Sequence, residues 1–412
     1  MTTLEILSIL VATAAIFGWI SSRWLKLPIT IGTMLLTVMA SVCLTAAGNM
    51  APSIHEWAID LVRQIDFESL ILHGMLPLLL FAGAFLLDLE DLAREKLTVS
   101  LLSIAGTVLS VFLVAGLMFL IGGAGASWME CLIFGALISP TDPIAVLEML
   151  RRTGVPKPIQ AQLAGESLFN DGIGAVLFLT MLAVARGQAP TPWHIAGTLF
   201  LKAGGGIAVG ILAAWVASQL MRLVDSYQVE ILVTLALALG GYVIADGAHL
   251  SAPLEAVVAG IALRHFNRQL PSGRIANNNV DGFWKVVDEV QNSVLFVLLG
   301  LESVVVALNA PILHAGLAAI LSVNVVRLGT VALLLGVVRI FQRRHESSTV
   351  ILTWGGLRGG LSIALALSVP AALGRTWMIG ATYLVVVCSI VVQGVSMDLL
   401  LRRLGKRKAA AS

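Results

Sequence analysis

Long apolar stretches, each close to the length of a membrane-spanning helix, recur from one end of the chain to the other. A helix of about 20 apolar residues crosses the hydrocarbon core of a bilayer. The composition agrees, because 58% of the 412 residues are hydrophobic and only 12% are charged, whereas a typical soluble protein is about 25% charged. The chain is therefore predicted to be an all-α polytopic membrane protein.

Thirteen stretches are predicted to cross the membrane. They cover residues 4–22, 29–47, 67–87, 97–122, 128–150, 160–185, 194–221, 228–246, 251–266, 291–309, 312–341, 347–371 and 377–400. Of the 26 lysines and arginines, 20 lie in alternate connections and the C-terminal tail, when Arg264 and Arg339 at the ends of their spans are counted with the adjoining connections. Three more lie in the opposite connections and three lie deep inside spans. Since cytoplasmic connections carry the excess of basic residues, we expect the N-terminus outside and the C-terminus in the cytoplasm.

No chemical role is assigned to several other features of the sequence. Two amphipathic stretches, 53–67 and 281–289, are predicted to be helices lying at the membrane surface. Isolated ionisable residues such as Glu130 and Glu255 are attributed to helix capping or snorkelling. Residues 4–22 lack a basic lead and a clear cleavage site, so we expect a retained span. The net charge of +2 gives no reason to expect a nucleic-acid partner.

The fifth and twelfth stretches are each interrupted. The run Ser139-Pro140-Thr141-Asp142-Pro143 contains two prolines, and the run Gly355–Gly360 contains four glycines around Arg358; both compositions break helices. The interruptions lie seven spans apart. Because this number is odd, the group of spans around the second interruption crosses the membrane in the opposite direction to the group around the first. We therefore predict inverted repeats at residues 1–186 and 228–412, with helix 7 as a connector at 187–227. Paired interrupted helices mark the midplane binding site of secondary transporters.

Charges fit this broken geometry. Each interruption exposes one carbonyl end and one amide end of a helix. If the two interruptions cross, the amide ends approach each other and favour an anion, while the carbonyl ends favour a cation. Asp142 and Arg358 are the candidates for these two positions.

The sixth span carries four polar residues on one face: Glu166, Ser167, Asn170 and Asp171. Ionisable residues inside a membrane are costly and indicate a functional site. A hard cation prefers oxygen ligands, and only an ionised Asp171 binds it well, so a proton and Na⁺ are expected to compete there. The predicted Na⁺ ligands are Asp171, Ser167, Thr141 and Asp142, and Glu166 belongs to the same cation- and proton-binding cluster.

Arg327 lies inside the eleventh span and needs a partner. We pair it with Glu166, which leaves Asp171 as the single titrating group and makes the exchange of one proton for one Na⁺ electroneutral. Pairing of Arg327 with Asp142, snorkelling of Arg327, and pairing of Arg358 with Glu166 stay open.

These residues resemble the sodium/proton exchangers of the first cation:proton antiporter family, in particular the prokaryotic branch that is similar to the animal exchangers. Supporting motifs run along nearly the whole chain: Leu76-Pro77-Leu78-Leu79-Leu80-Phe81, Leu87-Asp88-Leu89, Asn292–Glu302, Gly355–Gly360 and Val392-Gln393-Gly394.

The resemblance implies thirteen spans, a homodimer in the bacterial inner membrane and a part in pH homeostasis. It implies a mobile transport core, residues 97–186 and 312–404, that moves against a dimerisation scaffold. The family's Asn-Asp pair falls on Asn170 and Asp171 and accompanies electroneutral exchange. Its Glu–Arg bridge falls on Glu166 and Arg327, with Asn170 supporting it. Because the sequence stops soon after the last span, regulation by a long cytoplasmic tail is not expected.

Several alternatives stay open at this point. The transported cation is Na⁺, Li⁺ or K⁺, so a K⁺/H⁺ antiporter is one rival. An organic-anion/sodium symporter on the same architecture is a second, and a channel is a third. An intramembrane protease would need a nucleophile and base or paired catalytic aspartates, and the sequence offers no convincing set. We expect no enzyme activity and no cofactor, with protons, monovalent cations and membrane lipid as partners.

Overall fold

A computed structural model describes residues 3–25, 29–46, 66, 69–122, 125–187, 192–224, 226–268, 278–302, 309–341 and 348–411. The regular structure in these ranges is helical. The predicted surface helix 53–67 lies outside the described residues except for Asp66.

The first half of the chain contains nine α-helices in its described residues. They are α1 (Thr3–Ile20), α2 (Ile29–Ala46), α3 (Leu76–Phe85), α4 (Leu89–Arg94), α5 (Lys96–Ser100), α6 (Thr107–Ile121), α7 (Trp128–Ile138), α8 (Ile144–Arg152) and α9 (Lys157–Ala185). π-Helical turns at Ser21–Leu25, Leu70–Met75 and Leu101–Gly106 extend α1, lead into α3 and join α5 to α6.

The second half adds nine more in the ranges described. They are α10 (Pro192–Arg222), α11 (Tyr227–Gly247), α12 (Ala252–Arg268), α13 (Asn278–Glu302), α14 (Ala310–Phe341), α15 (Thr349–Trp354), α16 (Gly360–Leu367), α17 (Arg375–Cys388) and α18 (Val395–Ala411). A short 3₁₀ turn, Ala371–Leu373, precedes α17, and a π-helical turn, Ser389–Gly394, joins α17 to α18.

Seven helical stretches in the described ranges are long and apolar enough to cross a membrane. They are Leu4–Leu25, Lys96–Ile121, Lys157–Ala185, Gly197–Arg222, Tyr227–Gly247, Ala310–Phe341 and Arg375–Arg403. Shorter apolar helices cover Ile31–Ser41, Leu70–Phe85 and Trp128–Ile138. Large apolar side chains such as Leu120 and Phe200 lie fully at the surface, which suits contact with lipid rather than with water. The chain is a membrane protein.

Both interruptions are present. Residues 139–143 separate α7 from α8, and residues 355–359 separate α15 from α16. The long helix α9 packs against all four of these half-helices, and α14 packs against α15. The polar face of α9 therefore lies beside the two interruptions.

The segment 281–289 is not a separate surface helix, and that prediction was wrong. It is the first part of α13, which runs without interruption from Asn278 to Glu302. Trp284 is fully buried, and its indole Nε1 donates to Thr234 Oγ1 at 3.0 Å. The apolar side of the segment packs against protein. Three of its charged residues, Lys285, Asp288 and Glu289, line a cavity, and Asp281 pairs with Arg264.

The two isolated glutamates differ. Glu130 forms a capping box with Ser127 at the start of α7, as the sequence predicts. Glu255 on α12 is fully buried, and neither of its carboxyl oxygens has a hydrogen-bond partner in the part of the chain that the structure describes. Capping or snorkelling was the wrong interpretation for Glu255, because Gly241 of α11 leaves room for its carboxyl group inside the helix packing.

Candidate ion-binding site

The two interrupted helices are bonded to each other where they are broken. The backbone N–H of Asp142 donates to the carbonyl oxygen of Leu357 at 2.8 Å. Gly359 allows this close approach, since a Cβ at that position would lie 2.5 Å from the Cβ of Asp142. Prolines in one interruption and glycines in the other free the backbone groups that this contact uses.

The buried charges occupy the helix ends that the sequence suggests. Nη1 of Arg358 donates to the carbonyl oxygens of Ser139 at 2.6 Å and Pro140 at 2.8 Å, at the carbonyl end of α7. Asp142 Oδ1 accepts from the backbone N–H of Ile144 at 3.1 Å, at the amide end of α8. Each charge thus satisfies groups that the broken helix leaves unpaired.

The polar face of α9 holds the first interruption through Thr141. Asn170 donates from Nδ2 to Thr141 Oγ1 at 2.8 Å and accepts from the Thr141 backbone N–H at 3.3 Å. The Ser167 hydroxyl donates to the Thr141 carbonyl oxygen. The hydroxyl oxygen of Ser167 and the second lone pair of that carbonyl stay available as ligands.

Glu166 and Arg327 form a buried, bidentate ion pair. Glu166 is 1% exposed, and Arg327 donates to both of its carboxylate oxygens, from Nη1 to Oε1 and from Nη2 to Oε2, the latter at 2.9 Å. Nη2 also donates to the Leu352 carbonyl oxygen at 2.9 Å, in the last turn of α15. The expected pairing is present, and Glu166 does not line the cavity described below.

Asn170 does not support this ion pair. Its amide oxygen and nitrogen are both bonded to Thr141, 29 residues earlier in the chain. The family-based expectation for Asn170 was therefore wrong for this structure. The reason is that Thr141 lies in the interruption, where its backbone N–H lacks a helical acceptor.

Asp171 lies one residue beyond Asn170 and is only partly buried. No residue in the described ranges donates a hydrogen bond to its carboxylate, although the charges of Asp142 and Arg358 act on it. This distinguishes Asp171 from Glu166, whose oxygens are both occupied by Arg327.

A cavity of about 490 Å³ reaches these groups. Its walls include Thr141, Asp142, Ser167 and Asp171, so the four predicted Na⁺ ligands face one space. Hydroxyl, carboxylate and carbonyl oxygens around one cavity suit a hard monovalent cation.

The sequence did not reveal that α13 supplies polar residues to this cavity. Asp288 and Asn292 also line the cavity. They lie four residues apart and so share a helix face. This face is not evident from the sequence when 281–289 and 291–309 are predicted as two helices.

Interrupted helices that cross at buried charges, beside a carboxylate open to a cavity, define a secondary transporter. The sequence profile described as "Sodium/hydrogen exchanger, transmembrane" matches residues 11–403, and the chain belongs to that family. Its relatives are transporters and not enzymes.

Individual relatives cover nearly the whole chain. It is 38% identical over 410 residues to the Na(+)/H(+) antiporter NhaP of Pseudomonas aeruginosa, covering 97% of both chains. It is 33% identical over 346 residues to the Na(+)/H(+) antiporter NhaH of Halobacillus dabanensis, covering 82% of this chain and 84% of that one. The fold is similar to that of the sodium proton antiporter MjNhaP1 of Methanocaldococcus jannaschii, with a TM-score of 0.74 at 17% identity over 96% of this chain and 100% of the other.

Proposed function

We propose that this chain exchanges a monovalent cation, Na⁺ in the first place, for a proton, and that both compete for Asp171. The observation that carries the proposal is the Asp171 carboxylate, which faces the cavity without a hydrogen-bond donor from the described residues. A carboxylate in this position can take a proton or a dehydrated cation, but binding of one removes the charge that attracts the other.

The neighbouring oxygens complete a coordination sphere. Ser167 and Thr141 are held against each other by the hydroxyl-to-carbonyl hydrogen bond, and Asp142 lines the same space. In secondary transporters, carbonyls freed by unwound helices coordinate Na⁺. We assign Na⁺ to Asp171, Ser167, Thr141 and Asp142, with Asn170 holding Thr141 in place.

The buried charges support electroneutral exchange. Arg327 offsets Glu166 directly, and Arg358 lies at the interruption that carries Asp142. An ionised Asp171 then leaves one net negative charge, which one proton or one Na⁺ neutralises equally. Because both loaded forms carry the same net charge, moving them in opposite directions transfers no net charge across the membrane.

We extend the proposal to the architecture. Thirteen spans form inverted repeats at residues 1–186 and 228–412, with the connector at 187–227. A transport core, residues 97–186 and 312–404, moves against a scaffold that forms a homodimer. The protein works in the bacterial inner membrane with its N-terminus outside, and it contributes to pH homeostasis.

The test is exchange in proteoliposomes loaded with a pH-sensitive dye. Addition of Na⁺ is expected to move protons out of acidified vesicles, and Li⁺ and K⁺ are compared at equal concentration and at several pH values. Failure of all three cations to move protons, with Na⁺ uptake driven only by an added organic anion, would favour the symporter alternative.

A further inference from the structure

We propose a second monovalent-cation site on the wall of the same cavity, formed by Asp288 and Asn292 of α13. Asp171 lines the same cavity, so the site collects cations for the transport site. Its role in supplying Asp171 rests on the proposed function, whereas binding at Asp288 and Asn292 does not.

The geometry fixes an unpaired oxygen inside the cavity wall. Asn292 is 1% exposed, and its Nδ2 donates to Asp288 Oδ1 at 3.1 Å. Its Oδ1 has no hydrogen-bond partner in the described ranges. Flipping the Asn292 amide by 180° would place its oxygen against the Asp288 carboxylate, which is unfavourable. The hydrogen bond to Asp288 therefore determines the orientation of the amide. A buried carbonyl without a partner is costly unless a ligand satisfies it.

Asp288 supplies the charge that such a ligand needs. Its carboxylate lines the cavity and has one oxygen, Oδ2, beyond the bond to Asn292. The neighbouring charges are Asp142 and Glu289, which repel the carboxylate, and Arg151, which attracts it. A cation at Asp288 reduces the repulsion from Asp142, which is itself a predicted ligand of the central site. The acidic groups of the two sites line one cavity, whose wall also carries the basic residues Arg151, Lys157 and Lys285.

The ligand set suits a monovalent hard cation, because its one carboxylate balances a single positive charge. One carboxylate and one amide oxygen are too few for Ca²⁺, which takes six to eight oxygens, and they lack the nitrogen or sulfur that zinc prefers. Because Asn292 Oδ1 is buried, the cation loses its water on that side and keeps the water that faces the cavity. We therefore expect weak, millimolar binding.

The position of α13 separates this site from the moving part. Asp288 lies outside the segments assigned to the transport core, and Asp171 lies inside them. The site therefore stays in place while the core moves, and it increases the cation concentration near Asp171 without being carried across. Loss of the site is expected to raise KM for Na⁺ on the cavity side and to leave the maximal rate unchanged.

Transport kinetics test the role, with a neighbouring acid as the matched control. Glu289 lies on the same helix and also lines the cavity, but the Asn292 amide donates its hydrogen bond to Asp288 and not to Glu289. Asp288→Asn is expected to raise KM for Na⁺ by about fivefold or more, the equivalent of about 1 kcal/mol, while Glu289→Gln changes it by less than about twofold. Equal shifts for both variants would overturn the proposal, because surface charge alone would then explain them.

Binding of Na⁺ without transport provides the second measurement. The ²³Na NMR line of NaCl solutions is expected to broaden with purified Asp171→Asn protein, since the site on α13 is intact. The broadening is expected to disappear in the double variant Asp171→Asn/Asp288→Asn and in Asp171→Asn/Asn292→Leu. Unchanged broadening in a double variant that elutes as a single folded species would contradict the site. Persistence of exchange in Asp171→Asn would instead contradict the proposed function.

Discussion

The polar side chains beside Asp171 in sequence are bonded within the protein. Glu166 is bound by Arg327, and Asn170 is bound to Thr141 in both directions. These contacts assign structural roles to two of the four polar residues on this face of α9. Asp171 is the member of the face whose carboxylate lines the cavity without a hydrogen-bond donor from the described residues, as the proposed ion site requires.

Asp171→Asn is expected to abolish exchange. The amide has nearly the shape of the carboxylate but no negative charge, so it takes up no proton in this range and binds a cation much more weakly. Proton movement on addition of Na⁺ is the measurement, and expression with a normal elution profile is the check on folding. The matched control is Asp398→Asn, since Asp398 is an exposed acid paired with Arg402 in a single turn of α18; we expect it to retain exchange. Wild-type rates in Asp171→Asn would remove the central assignment.

Arg327→Ala is expected to lower stability as well as activity. It leaves the Glu166 carboxylate, 1% exposed, without its ion-pair partner, and breaking a buried pair costs about 3–5 kcal/mol. Thermal unfolding in detergent is the measurement. Arg402→Ala, which breaks an exposed pair, is expected to change stability by less than about 1 kcal/mol.

A double variant separates charge from packing. Glu166→Gln in the Arg327→Ala background removes the unpaired charge and is expected to recover part of the lost thermal stability. If Arg327→Ala unfolds at the wild-type temperature and exchanges normally, the ion pair has no structural role.

The elements that matter most are the two interruptions and the helix that crosses them. Their crossing depends on Gly359, because a side chain there would push against Asp142. Gly359→Ala is expected to reduce exchange strongly, since the contact between the interruptions would open. At Gly329 in α14, an added methyl group meets no side chain and no neighbouring helix within 4 Å, so Gly329→Ala is expected to be neutral. Equal rates for the two variants in proteoliposomes would show that the close approach is unimportant.

At this scale, sequence patterns predicted what depends on local chemistry. Prolines at 140 and 143 and glycines from 355 to 360 interrupt helices by their own backbone properties, so both interruptions were predictable. The continuity of α13 was not, because charged residues at its start suggest a surface position unless their tertiary partners are known. Trp284 is buried by contacts with Phe81 and Thr234, more than 45 residues away in sequence.

The same limit applies to the site. The face of α9 follows from helical spacing alone. The cost of an unpaired buried charge predicts a partner for Arg327, but it leaves both Glu166 and Asp142 as candidates. The partner of Asn170 and the cavity wall at Asp288 depend on which helices become neighbours. Spacing within one helix does not contain that information.

For the whole molecule, exchange is expected not to respond to membrane voltage. In the proposed cycle both loaded forms of the site carry the same net charge, so a membrane potential does no work on the cycle. Proton flux in proteoliposomes is measured with K⁺ gradients and valinomycin setting the potential, and a voltage-sensitive dye verifies it. A rate or a final pH gradient that follows the imposed potential would contradict one-for-one exchange.

The most direct test of competition at Asp171 is the KM for Na⁺ measured against pH. Lowering pH adds a competing ligand, so on the acidic side KM is expected to rise by about tenfold per pH unit, and saturating Na⁺ is expected to restore the rate. On the alkaline side, where Asp171 is ionised, KM is expected to level off. A KM that stays constant across the same pH range while the maximal rate falls would show that the proton and Na⁺ bind at separate groups, and it would contradict the account.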